Sequence, residues 1–398
     1  MKKLALALAV TSMVSGAAVA GGHSKDVKLG IALGFTGPAE SLAADMAAGA
    51  EMAISEISNS GMLLGGAKVS VARADSTCVD AAAAAAAAER LISAEKVDAI
   101  VGALCSGATI SILQNVAMPQ GVVLFSPSAT SPALSTLEDN GYFFRASPSD
   151  ARQGQVIAEM LVEKGYKSIA MSYTNNDYGK GLADSIESNF TAAGGKVTIN
   201  SPHEDGKGDY GAEVGALAQA GGDILVVAGY LDQGGKGIIQ SSLDAGAFDH
   251  FFLPDAMIGE SLTTAIGSDL NGSIGTVPGT DSPGSASYIE MFTAANGAAP
   301  GPYSDYSYDA AAMTLLAMQA AGTKDSKVFK DKVFDIANAP GEKIYPGELA
   351  KGLEILAAGG DIDYVGATAV ELIGGGESAG SYREILVKDQ QNTTVRYR

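Results

Sequence analysis

Between Val101 and Pro132 the chain runs twice in succession from an apolar segment into a small, uncharged, hydroxyl-rich loop. Residues 98–102 lead into Leu104-Cys105-Ser106-Gly107-Ala108-Thr109, and residues 122–125 lead into Ser126-Pro127-Ser128-Ala129-Thr130-Ser131-Pro132. Short apolar runs closed by turn residues fit the strands of a parallel α/β sheet, and loops at the carboxyl ends of neighbouring strands line one crevice. A helix that starts in such a loop points free backbone N–H groups into that crevice. Ser106, Ser128 and Thr130 would add hydroxyls, so a small anion such as a carboxylate could be held there without any buried cation. One such loop is more simply read as a helix cap or turn; two of them one βαβ unit apart favour a site.

The alternation continues on both sides. Strands are read at 27–34, 67–74, 168–173, 196–200, 223–228 and 250–253, and helices at 39–58, 81–88, 177–193, 210–220 and 233–245. Asp80 is placed to cap the poly-alanine helix, and Ser147-Pro148-Ser149-Asp150 to cap another that reaches about residue 164. The first run reads βαβαβαβ and the second repeats its rhythm. The fold class that follows is α/β with two lobes, each a mostly parallel sheet flanked by helices. Residues 272–284, rich in Gly, Pro, Ser and Thr, read as a crossing between lobes. Helices at 288–296, 308–321, 328–337 and 347–358 follow, then strands at 369–373 and 381–387. The lobes are therefore discontinuous: 27–145 with 279–358, and 146–278 with 359–398, joined by a hinge about which they can close.

Lys2 and Lys3, the apolar run 4–14 and Ala18-Val19-Ala20 read as a secretory signal peptide, residues 1–20, cut after Ala20. The run is shorter than the roughly 20 residues that span a bilayer. Export makes Cys78 and Cys105 a disulfide pair, since both stand just past predicted strands that can be neighbours. Closing that loop should stabilise the fold by roughly 3 kcal/mol, and the bridge is expected to stiffen the Ser106 loop without lining the pocket. Two cysteines and 3 scattered histidines form no ligand cluster, so neither a metal nor a cofactor is expected. A net charge of −19 opposes nucleic acid and anionic membrane surfaces as partners. A monomeric exported protein is expected.

These features resemble a known family, the periplasmic type I solute-binding proteins of ABC transporters, leucine/isoleucine/valine-binding group. The resemblance rests on the signal peptide, the Leu33-Gly34-Phe35-Thr36-Gly37-Pro38 turn, the cysteine pair and the Cys105-Ser106 loop. It rests also on Ser126-Pro127-Ser128-Ala129-Thr130 and on Asn176-Asp177-Tyr178-Gly179-Lys180-Gly181. It covers most of the mature chain and is weaker in the C-terminal third. It implies an amino acid ligand whose α-carboxylate meets Ser106, Thr130 and the backbone of Ser128 and Ala129. Asp255 would hold the α-ammonium, Tyr178 and Tyr230 of the second lobe would close over the ligand, and Tyr303 would seal the pocket from the helical segment. A membrane permease would be the partner. Two departures bear on ligand size: Asp255 stands where well-known members carry Glu, and Leu42 where they carry Tyr.

A zwitterion needs N–H and O–H donors at one end and a carboxylate at the other, so the chemistry of these residues agrees with the resemblance. Simpler readings compete: Asp255 as a turn residue, Tyr178 as an exposed loop aromatic, Tyr230 as a packed rim residue. A short-chain amide or carboxylate ligand is the alternative within the same fold, and a sensory module would share the same pocket. Gly376-Glu377-Ser378-Ala379-Gly380 matches a hydrolase elbow, but a strand rather than a helix is read after it, and the last histidine, His250, precedes it. An enzyme is rejected on that ground.

Overall fold

The computed structural model describes residues 25–398, so the signal peptide and its cleavage site lie outside the described residues. The strands of the first half are β1 (Val27–Leu33), β2 (Val69–Asp75), β3 (Ala99–Gly102), β4 (Val123–Ser126) and β5 (Phe143–Pro148). Those of the second are β6 (Ser168–Thr174), β7 (Lys196–His203), β8 (Ile224–Ala228), β9 (Phe251–Leu253) and β10 (Ile274–Pro278). Six more follow: β11 (Glu342–Ile344), β12 (Ile362–Tyr364), β13 (Leu372–Ile373), β14 (Glu377–Ser378), β15 (Tyr382–Lys388) and β16 (Gln391–Tyr397).

One sheet has the order β13-β14-β5-β4-β3-β1-β2 and the other β16-β15-β10-β9-β8-β6-β7. The first five strands of each half therefore repeat a single order, and their mutual pairings are parallel. β3, β4 and β8 are buried along their whole length, as strands covered by helices on both faces must be. This is the two-lobed, doubly wound arrangement read from the alternation.

Local signals account for the elements. Asp80 Oδ1 accepts from the N–H groups of Ala82 and Ala83, both at 2.9 Å, and so starts the alanine-rich helix Ala81–Ser93. Ser149 caps helix Asp150–Glu163. Helix Glu40–Ser60 packs against Ser304–Ala321 at a glycine contact: a Cβ on Gly49 would lie 2.1 Å from the Ser304 carbonyl oxygen.

Residues 272–284 are not a plain crossing, because β10 lies within them, fully buried between β9 and β15; its Gly and Pro disguised a core strand. The segment 359–398 does not belong wholly to the second lobe, since β13 and β14 extend the first sheet beside β5. The helix read at 328–337 is broken into Ser326–Phe329, a 3-10 turn and Val333–Ala337. The C-terminal hairpin adds β16, whose alternating polar residues leave it as an exposed edge.

The lobes meet directly across the cleft. Asp232 of the second lobe accepts from Ser41 N at 2.9 Å and donates its own N–H to Pro38 O at 3.0 Å. Ser131 Oγ donates to Asp177 O at 2.9 Å. The conformer described is therefore a closed one.

Candidate ligand site

Where the carboxyl ends of the two sheets face each other lies a small cavity with about 20 Å³ of free space. Leu42, Leu104, Cys105, Ser106 and Ser128 form its first-lobe wall. Tyr178, Tyr230, Asp255 and Ala256 form the opposite wall, and Tyr303 reaches in from the residue that precedes helix Ser304–Ala321. Both walls are built from loops and helix starts that follow strands, where an open α/β sheet exposes its crevice.

Asp255 is the electrostatic centre. It sits on a turn after β9 and is fully buried, with its Oδ1 accepting from Tyr178 Oη at 2.7 Å and its Oδ2 from Tyr303 Oη. Burial pushes its carboxyl above the usual range, and the two phenols pull it back. The phenols are themselves held neutral, by burial first and by the facing carboxylate second, so they remain donors. Tyr230 stacks on Tyr178 with ring centroids 5.3 Å apart, giving the cavity an apolar flank.

The hydroxyl wall is more committed than the sequence implied. Ser106 Oγ accepts from Ser131 N at 3.1 Å, tying the two loops together. Ser128 Oγ donates to Leu104 O at 2.8 Å, while the N–H groups of Ser128 and Ala129 turn inward to Ser126 Oγ at 3.3 and 2.9 Å. Those two backbone donors, assigned by resemblance to the ligand carboxylate, are thus engaged within the loop. Ala129 and Thr130 are buried behind the cavity rather than in its wall, and Thr130 Oγ1 has no hydrogen-bond partner.

No cation lines the cavity, but one is buried behind its first-lobe wall. Arg145 of β5 is fully buried and donates to the carbonyls of Ala129 and Ser131 at 3.1 and 2.9 Å, to Ser135 Oγ at 2.7 Å and to Glu377, while its Nε has no partner. It fixes the loop that carries Thr130. Its one signal in the sequence was a lone Arg inside the apolar run Tyr142 to Ala146. Ser378 of the elbow-like motif lies on β14, an outer strand of the first sheet, with strand β15 after it.

Cys78 and Cys105 are bonded, with Cα atoms 5.1 Å apart. Cys105 lines the cavity, so the bridge does more than stiffen a loop. Among the described residues, the larger open depression beside Lys25 and Lys324 gathers no comparable set of buried polar groups.

Comparison with known proteins agrees with this geometry. The family model described as periplasmic binding protein matches residues 26–336. The Leu/Ile/Val-binding protein homolog 1 of Brucella suis biovar 1 (strain 1330) is 30% identical over 318 residues, 77% of this chain and 83% of that protein. The leucine-binding protein LivK of Thermotoga maritima shares the fold with a TM-score of 0.79 at 21% identity, covering 93% of this chain and 98% of that one. A solute-binding protein of an ABC transporter from R. palustris, in complex with benzoate, gives 0.75 at 17% identity, covering 94% of this chain and 96% of that one. With the family model spanning most of the chain and the two lobes carrying a cleft at their strand ends, the chain belongs to the type I periplasmic binding proteins, the family of the Leu/Ile/Val-binding proteins.

Proposed function

We propose that this protein captures a small aliphatic amino acid between its lobes and presents it, in the closed form, to the permease of an ABC transporter. The observation that carries this reading is the opposition of two walls: the loop at Ser106, whose Oγ accepts from Ser131 N and keeps its own proton to donate, and a buried Asp255 framed by tyrosines. A zwitterion brings an acceptor to the first and a charged donor to the second. In this closed conformer the cavity keeps only about 20 Å³ of free space, room for about one water, so a ligand enters only when the lobes part. Leu42 and the stacked pair Tyr178 and Tyr230 offer the apolar surface that an aliphatic side chain wants. The name of the Brucella relative supports the same ligand class. The protein acts as an exported monomer, and the ligand stabilises the closed conformer that a permease can distinguish.

A carboxylate ligand is the second reading, favoured by the neighbour that holds benzoate. Asp255 argues against it, because an ionised Asp255 repels a ligand whose only charge is negative. A thermal-shift series separates them: leucine, isoleucine, valine, alanine and threonine against benzoate, 4-methylpentanoate and butyramide. Amino acids alone should raise the melting temperature. Equal stabilisation by 4-methylpentanoate and leucine would overturn the amino acid reading.

A further inference from the structure

Three bonds join the lobes outside the cavity: Ser41 N to Asp232, Asp232 N to Pro38 O, and Ser131 Oγ to Asp177 O. The bond from Tyr303 Oη to Asp255 Oδ2 differs from them, because both of its partners are buried and both line the cavity. Its two ends belong to different lobes. Gly301 N donates to Asp45 Oδ2 and Ser304 Oγ to Asp45 O, each at 2.8 Å, so the residues around Tyr303 are tied to helix Glu40–Ser60 of the first lobe. Asp255 follows β9 of the second sheet, and its other oxygen is held by Tyr178 of that same lobe.

The backbone at Tyr303 is arranged for this contact. Its φ of 65° and ψ of 1° are left-handed, a costly conformation for a bulky side chain that persists where the surroundings enforce it. The two Asp45 anchors enforce it, and Ser307 donates through N and Oγ to Tyr303 O at 3.0 and 2.9 Å. The ring therefore enters the cleft with its hydroxyl on the one carboxylate among the residues that line the cavity. Asp255 has lone pairs left for an ammonium, but room for the rest of an amino acid is made only by parting the lobes. Parting them pulls Tyr303 away from Asp255.

We propose that Tyr303 is an internal competitor for Asp255: its hydroxyl closes the lobes on the acid that receives the ligand's ammonium, so capture exchanges one bond across the cleft for another. The proposal rests on the reading of the ligand as an amino acid and adds the regulation of that site. A ligand waits for this bond to break, and its apparent affinity is lowered by the share of protein that the bond holds shut. Because the bond belongs to the protein before capture, it lowers the affinity for every ligand by one factor. A residue that touches the ligand would instead change the preference between ligands.

Tyr303→Phe in the mature protein removes the hydroxyl and keeps the ring. Without ligand, its radius of gyration by small-angle scattering should exceed that of the native protein. Its affinities for leucine and alanine, by calorimetry, should rise by one common factor of about two to five. In rapid mixing followed by tyrosine fluorescence, the observed rate for the native protein should level off with rising leucine, at the rate of opening, and the plateau for the variant should be higher. The native curve is a test even where the variant does not fold: a rate that climbs linearly throughout would overturn the proposal. Weaker leucine binding by the variant, or an unchanged radius with unchanged affinities, would overturn it too and leave the amino acid reading intact. If no amino acid raises the melting temperature of the native protein, that reading ends. A larger ligand-free radius for Tyr303→Phe would then keep Tyr303 as the lock on the cleft, whatever ligand opens it.

Discussion

Asp255 reaches its two phenols as a short side chain on a buried turn, and its oxygens still have lone pairs to offer a ligand. Asp255→Asn conserves the shape and removes the charge-assisted bond, which should cost about 1.5 to 3 kcal/mol, or about 10- to 150-fold in affinity by titration calorimetry. Thr130→Ala should cost less, at most about 1 kcal/mol, because Thr130 Oγ1 has no hydrogen-bond partner and stands behind the cavity wall. Of the nine residues nominated from the sequence, those at strand ends were legible, because a strand's last residue and the loop after it have a fixed place at the crevice. Arg145 was not, since nothing in a sequence says which carbonyls a lone Arg in an apolar run will meet. The inward turn of the Ser128 and Ala129 amides was hidden for a related reason: it depends on Ser126 Oγ, a local bond that competes with the ligand for the same donors.

At the scale of elements, the parallel core was readable because continuous apolar runs between turn residues admit few other structures. β10 was missed because Gly275, Thr276 and Pro278 outvote its two large apolar residues, and only the neighbours β9 and β15 make it a strand. The disulfide joins the loops that follow β2 and β3, which are not neighbours because β1 lies between them, and of its two cysteines Cys105 lines the cavity. Its reduction should lower the melting temperature and, because Cys105 is in the wall, also weaken ligand binding severalfold; an unchanged affinity with a lower melting temperature would return it to a purely stiffening role. His203 of β7 links the same scale to pH. Its Nδ1 meets Ser172 Oγ at 2.8 Å, its Nε2 is bare, and burial lowers its pKa to about 4. The unfolded chain takes up that proton near pH 6.5 and the folded chain only near 4, so stability falls as pH drops across that window, by up to roughly 3 kcal/mol. Urea unfolding of His203→Gln at pH 7.5, 6 and 5 should show a flatter profile than the native protein.

The whole molecule works by closing, and Asp232 shows where closure is secured away from the ligand. Helix Glu40–Ser60 of the first lobe begins at Ala39, which provides no side-chain cap. Asp232, on the second lobe and bonded to Ser261 Oγ, supplies that cap across the cleft by accepting from Ser41 N at 2.9 Å. A helix N-terminus favours a carboxylate through its free N–H groups and its dipole, but in an open form the two parts separate and water must replace the bond. The cap therefore stabilises the closed state relative to the open one. Asp232→Ala should remove about 1 kcal/mol from that preference, which lowers the apparent affinity for every ligand by about fivefold. Because Asp232 lies outside the cavity wall, the ratio of affinities for leucine and alanine should stay constant, whereas Asp255→Asn should change the discrimination between an amino acid and its deaminated analogue. Small-angle scattering of the ligand-free Asp232→Ala protein should give a larger radius of gyration than the native one, returning to the native value at saturating ligand. If the radius is unchanged and the affinity ratio shifts, Asp232 belongs to ligand recognition and closure is held by the ligand alone.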